Sequence, residues 1–363
     1  MPLKIAIAGA GMIANAGHIP AWKSLEGEAE VMGVYNPNLP KAESTVERHR
    51  IPKTYDDFDK MIAEIRPDVL SVCTPNTRHT EYVQKALATG AHVLCEKPIT
   101  TTVAEARCLY QTARENSAHL VAAQTMRFTQ QIQAAHDIAS TGVLGEMYYA
   151  EAAAMRRRGT PTWGRFHIRE DAGGGPLFDL GVHVLDSLIW VMDNPRIISA
   201  SGATYTKIAN RDEGFATSLA ESGAPAGLFD PRPFDPHELD VEDMGVGFLR
   251  TEGGGSITLK ASWAANVPDG FGQTFILGTE SGLVFNPLKV IGRCGSYQAE
   301  TVPKVPTDPD VPFQGHRKLA RHVVNLIAGK EKPVVKPEEV INVINALEAL
   351  YRSAQSGREE KTS

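Results

Sequence analysis

Cysteine is scarce in this sequence, with four among 363 residues. Cys73, Cys95, Cys108 and Cys294 make no CxxC pair and stand at no zinc-ligand spacing from histidine. Neither a disulfide framework nor a structural zinc is expected, and a reducing compartment is. Long hydrophobic runs are also missing. The longest fall well short of the ~20 residues a membrane span needs. Positive charge is not in excess: 37 Lys and Arg against 43 Asp and Glu leave a net charge of −6. That gives no general pull toward nucleic acid or anionic lipid. Met1-Pro2-Leu3-Lys4-Ile5 runs directly into a strand pattern, without the regions of a signal peptide. The expectation is a cytoplasmic protein with a small-molecule partner, no nucleic acid and no membrane.

What is present is enough chain for about two domains. Hydrophobic residues at 42% and charged residues at 22% describe an ordinary globular protein. Up to about residue 125, short β-rich runs at 4–8, 30–35, 69–74, 92–96 and 119–123 alternate with helical patterns such as 76–89 and 102–116. This alternation predicts an α/β doubly wound parallel sheet. From residue 126 to 363 the pattern changes. Helices are expected at 130–140, 181–192, 315–328 and 337–354, and strands at 147–155, 198–207, 245–251, 255–264, 274–277 and 282–285. An α+β domain with a large, mainly antiparallel sheet fits this order, and its C-terminal helix can pack back on the first domain. Segment 208–240 is rich in Gly and Pro, including Asp230-Pro231-Arg232-Pro233-Phe234-Asp235-Pro236. It exceeds the ~12–15 residues of ordinary connections. It reads as a surface insertion, a lid or a subunit contact.

The first strand ends in Gly9-Ala10-Gly11-Met12-Ile13-Ala14, a GxGxxA turn that opens a helical pattern running toward Leu25. Gly9 permits the tight turn, Gly11 lets a pyrophosphate approach the backbone, and Ala14 allows close helix–strand packing. Met12 and Ile13 bring free N–H groups to the phosphates. This points to a dinucleotide. The second strand should end in an acid that bonds the adenosine ribose. Asn36 stands there instead, with no Arg immediately after it. Asn can bond a ribose hydroxyl but does not repel a 2′-phosphate, which keeps NADP open; with no Arg at hand to hold that phosphate and Lys41 the nearest base, NAD is favoured.

Two further motifs carry chemistry. Glu96-Lys97-Pro98 closes the fourth strand, and Thr74-Pro75-Asn76 closes the third. Ligands of open α/β sheets bind beyond those strand ends. A lysine there can face both nicotinamide and a substrate hydroxyl, and Glu96 can pair with the cofactor or with the neighbouring chain. Gly173-Gly174-Gly175 precedes a helix with Asp179 and His183 four residues apart, on one face. A histidine can take an alcohol's proton, with a carboxylate to orient it. Asp186 offers a second anchor. The plainer readings are a satisfied core histidine, or a metal site that would need a third ligand such as His167; no metal is expected.

Together these ordered motifs resemble the Gfo/Idh/MocA oxidoreductases across almost the whole chain. The resemblance implies a Rossmann domain followed by an α/β domain whose open sheet forms a homodimer or homotetramer interface. It implies an NAD(P)-dependent dehydrogenase of a sugar or polyol secondary alcohol, with Lys97, Asp179 and His183 catalytic. Gly9, Gly11, Met12, Ile13, Asn36, Thr74, Asn76, His79, Glu96, Lys97 and Gln124 would meet the cofactor. Arg127, Trp163, Arg165, Asp179 and His183 would meet the substrate. A reductase of another carbonyl or imine, and a non-catalytic dinucleotide-binding regulator, are the alternatives. The Arg156-Arg157-Arg158 run reads as a site for an anionic substrate group or as solvent-facing residues. His316 is a further pocket candidate.

Overall fold

A computed structural model describes residues 1–211, 224–225, 227, 229, 232–268, 270–307 and 311–363. Strands β1 (Leu3–Ala8), β2 (Ala29–Tyr35), β3 (Thr54–Tyr55), β4 (Val69–Val72), β5 (His92–Cys95) and β6 (Leu120–Ala122) form a sheet of order β3-β2-β1-β4-β5-β6. Every pairing is parallel. Val69–Val72 is buried throughout, as a strand covered on both faces should be. The order reverses between β1 and β4, so the crevice beyond their carboxyl ends is the place for a ligand.

The helix expected after the glycine turn is not uniform. A π turn spans Ala14–His18, closed by the Ile19 N–H on the Ala14 carbonyl, and an α-helix continues as Ile19–Lys23. Pro20 has no N–H to give the regular ladder, so the chain rewinds around it. A second π turn, Leu177–Gly181, precedes the α-helix Val182–Val191 and carries Asp179. Helix Gln130–Ser140 appears as the sequence predicts.

The second sheet has nine strands: β7 (Met147–Met155), β8 (Ile197–Tyr205), β9 (Met244–Thr251), β10 (Ser256–Ser262), β11 (Phe275–Gly278), β12 (Gly282–Val284), β13 (Lys289–Cys294), β14 (Tyr297–Thr301) and β15 (Glu360–Lys361). All neighbours are antiparallel except β7 and β10, which pair in parallel at the centre. Strands β13 to β15 escaped the sequence reading because their residues are largely exposed and show no clean alternation.

Two cores result. One gathers the parallel sheet with Leu319, Val323, Val340 and Ile344 from the C-terminal helices. The other sets the inner face of the large sheet against Phe178, Leu185, Val343, Leu347 and Leu350. Helix Pro337–Ser356 therefore offers one stripe to each core, and the C-terminal helices do pack on the cofactor sheet. Ala209, Leu239 and Ala264 form a small cluster at the roots of segment 208–240. Residues 212–223, 226, 228, 230 and 231 of that segment, with Asp230-Pro231 of the Pro-rich run, lie outside the described residues. Among the described residues no helix is long and apolar enough to cross a membrane.

Candidate active site

The strand ends build the crevice. Gly9 has φ +104°, and a Cβ there would stand 2.4 Å from the Cys73 carbonyl oxygen. The turn therefore needs glycine for both conformation and space. At Gly11 a Cβ would meet nothing within 4 Å. Its smallness serves no contact within the protein and leaves room for a ligand. Ala14 is fully buried. Thr74 Oγ1 and Gln124 Oε1, beyond the ends of β4 and β6, are buried without a hydrogen-bond partner among the described residues. Buried polar atoms are normally satisfied, so an open glycine cradle and these two orphans fit a dinucleotide. Asn36 Oδ1 accepts the Asn38 N–H at 2.9 Å, which leaves its amide N–H groups for a ribose.

Two residues expected at the cofactor have protein partners in this structure. His79 is wholly buried, with Nδ1 2.8 Å from the Pro98 carbonyl and Nε2 2.9 Å from that of Thr74. Its ring ties two loops together and has no edge left for a ligand. Asn76 sends its amide to the Ala172 carbonyl at 3.0 Å, beside Thr77 Oγ1 on the Glu170 carbonyl. That loop clamps the first domain to the second.

Lys97 follows β5 and meets the π turn from residue 177. Its Nζ donates to the Asp179 carbonyl at 2.9 Å and to Asp179 Oδ1 at 3.0 Å. The Trp263 indole N–H donates to Asp179 Oδ2 at 2.9 Å. Burial pushes the Asp179 carboxyl up, but the charges of Lys97 and Arg156 and the bonds from Trp263 and Lys97 outweigh it, and the net direction is down. His183 lies in the same electrostatic environment. Burial first, and then the Lys97 charge, lower its pKa from 6.5 to about 3, so the ring is neutral. Its Nδ1 is buried and meets no partner among the described residues. Asp179 thus holds Lys97 and does not orient His183. Asp186 does not anchor it either. Trp263 was missed because a tryptophan ending an alternating strand reads as ordinary core.

Glu96 is nearly buried and bonds protein instead of cofactor. Oε1 lies 2.9 Å from His18 Nε2 and 3.2 Å from His316 Nε2, and Oε2 accepts the Lys97 backbone N–H at 3.2 Å. His18 Nδ1 lies 2.6 Å from Ser71 Oγ, which accepts the Trp22 indole N–H at 3.1 Å. Burial keeps His18 neutral, its pKa lowered. Burial opposes ionisation of Glu96 too, but the bonds from His18 and His316 outweigh it and hold the carboxyl well below its ordinary value. A neutral His18 facing a carboxylate must carry its proton on Nε2, so Ser71 donates to Nδ1. His18, Glu96 and His316 have the composition of a metal centre, with ligand atoms all within 4.8 Å. Their nitrogens, however, donate to the carboxylate, and the cluster reads as an anchor for the Lys97 backbone.

Arg127, expected at substrate, is fully buried. Its Nε and Nη2 donate to Asp186 at 2.8 and 2.6 Å, and Nη1 donates to the Val334 carbonyl at 3.1 Å and to Glu339. Four of its five N–H donors are thus held by protein, in a side chain closed off from solvent. Arg165 pairs with Asp171, and Trp163 packs edge-on against Phe166 and Phe229 with its Nε1 buried and unpartnered among the described residues. His167 faces Glu238 at 3.6 Å and joins neither Asp179 nor His183. Arg156 and Arg158 bond the Gly159 and Ala265 carbonyls.

Comparison with known proteins adds to this geometry. Residues 3–124 match the Gfo/Idh/MocA "Oxidoreductase family, NAD-binding Rossmann fold", and residues 132–284 match the GFO/IDH/MocA C-terminal domain. D-glucoside 3-dehydrogenase of Escherichia coli (strain K12) is 30% identical over 357 residues, 98% of this chain and 96% of that one. Glucose-6-phosphate 3-dehydrogenase of Bacillus subtilis (strain 168) is 31% identical over 207 residues, covering 54% of this chain and 56% of its own. Among solved structures, levoglucosan dehydrogenase in complex with NADH and levoglucosan superposes with a TM-score of 0.82 at 18% identity, covering all of both chains.

Proposed function

The chain belongs to the Gfo/Idh/MocA oxidoreductases, and from that membership we propose that it is an NAD-dependent dehydrogenase of a glucoside-like sugar, oxidising a ring hydroxyl through Lys97, Asp179 and His183. NAD binding and action on a CH–OH group follow from the family and from the full-length relative. The glucoside class is supported by the relative named D-glucoside 3-dehydrogenase, and the 3-position by that one and the glucose-6-phosphate 3-dehydrogenase.

The observation that carries the residue assignment is one of unfilled valence. Two of the three Lys97 ammonium N–H groups are held by Asp179. The third is left for a hydroxyl oxygen, where its charge stabilises the negative charge that develops on deprotonation. Bound NAD would supply the hydride acceptor, and Gly9, Gly11, Thr74 and Gln124 are the residues that would hold it. His183, neutral and with Nδ1 unpartnered among the described residues, takes the hydroxyl proton. A weak base suffices, because the hydroxyl becomes strongly acidic as its carbon–hydrogen bond breaks. Asp179 holds the Lys97 ammonium in place. Residues 1–125 serve the cofactor and 126–363 the substrate.

The register also places Tyr149, Val246, Phe248, Leu277, Ile291 and Tyr205 on the face of the large sheet turned away from its core. Leu277, Ile291 and Tyr205 are exposed. Apolar side chains exposed on an uncovered sheet face favour a homodimer or homotetramer, and a monomeric mass by light scattering would contradict it. The four unpaired cysteines suit the cytoplasm. The activity is tested by mixing the purified chain with NAD and a panel of glucosides, sugar phosphates and polyols, followed at 340 nm. Turnover of glucosides is expected. NADH binding without turnover on any member would sink the reading.

A further inference from the structure

We propose that Trp263 is a positioning residue for the reaction: its indole N–H fixes the rotamer of Asp179 and thereby the place of the Lys97 ammonium. The inference rests on the site reading given above. Trp263 is fully buried, just beyond the end of β10. Its indole N–H is the sole donor recorded to Asp179 Oδ2 among the described residues, at 2.9 Å. Oδ1 and the Asp179 carbonyl hold Lys97. A carboxylate with both oxygens engaged cannot rotate without losing a charge-assisted bond. Any rotation of Asp179 would withdraw Oδ1 from Lys97 and turn its ammonium away from the hydroxyl it must meet.

The tryptophan is itself held. Its backbone N–H donates to the Asp243 carbonyl at 2.9 Å. The Asp243 carboxylate accepts the backbone N–H groups of Lys207, Ile208 and Ala209 at 2.8, 2.6 and 2.9 Å. The strut therefore runs from the root of segment 208–240 through Asp243 and Trp263 to Asp179. A phenylalanine at 263 would fill most of the same space. What it lacks is the donor, and that separates positioning from packing.

The test is Trp263→Phe, assayed with saturating NAD and the substrate found in the panel. kcat is expected to fall about ten- to a hundredfold, the loss of a hydrogen bond to a charged group, with the KM for NAD unchanged. The acid limb of kcat/KM should move to higher pH, because the lost N–H favours the ionised carboxylate. In an Asp179→Ala background the same substitution should cost less than about twofold, since the pair no longer exists to be broken. An unchanged kcat and pH profile, or an equal loss in both backgrounds, overturns the proposal. If Trp263→Phe does not fold, Asp179→Ala alone decides. Of the four indole N–H resonances, that of Trp263 should move upfield as its hydrogen bond is lost, and no movement overturns the role. Undiminished kcat in Asp179→Ala would sink the site reading itself; undiminished kcat in Trp263→Phe alone sinks only this inference.

Discussion

Two buried charge clusters flank the helix Val182–Val191, and they have opposite characters. In one, Arg127 sits between Asp186 and Glu339, held also by the Val334 carbonyl, with the three charged side chains 0%, 1% and 6% exposed. In the other, Lys97 and Asp179 are 12% and 16% exposed, one ammonium N–H is left over, and His183 Nδ1 has no partner among the described residues. Both contain a basic residue held by carboxylate, so composition does not separate them. Burial does: the first cluster is sealed, and the second is partly open to solvent. A closed cluster fixes the fold, whereas an open one can act on a ligand.

The comparison breaks most sharply on substitution. Lys97→Ala or His183→Ala should lower kcat by about 10²–10⁴-fold, the usual worth of positioned acid–base groups. NADH fluorescence titration should show the cofactor still bound and thermal unfolding should show little change. Near-normal turnover in both variants would remove the distinction. Arg127→Met should do the reverse. Leaving Asp186 and Glu339 buried without their partner costs about 3–5 kcal/mol, read as a lower urea midpoint, while kcat of the folded fraction stays within a few fold. A large loss of kcat at unchanged stability would return Arg127 to the substrate.

The smallest effect sharpens the same contrast through pH. Burial lowers the pKa of His18, His79 and His183 from 6.5, that of His183 to about 3. Below 6.5 the unfolded chain binds protons that the folded chain resists, so stability declines as pH falls from neutrality toward acid. The Arg127 guanidinium does not titrate in that window. A cofactor-free Tm that falls steadily from pH 7.5 to 5.5 is expected, in wild type and Arg127→Met alike. A Tm that rises on acidification would contradict the neutral, buried state of these rings.

The cofactor half was readable because its signals are local. Gly9, Gly11 and Ala14 lie in one strand–turn–helix, and each small side chain answers a steric demand within a few residues. The large sheet was readable in its central strands, where alternation follows burial, and unreadable at β13 to β15, where exposure removes the alternation. Arg127 and His79 were misplaced for a shared reason. A polar residue just past a strand end looks the same in sequence whether it turns into the crevice or into the protein. Only the buried carboxylates and carbonyls around it decide that.

By itself, then, the sequence determined the dinucleotide turn, the order of the central elements and the three residues that carry the proposed chemistry, because each is written over a short stretch of chain. The tertiary structure decided who holds whom. Lys97 meets an acid 82 residues away, that acid takes its second donor from 84 residues beyond, and Glu96 draws His316 from 220 residues along the chain. Hydrogen-bond valence at such separations depends on packing, which no local pattern encodes. It turned Asp179 from an expected partner of His183 into the holder of Lys97.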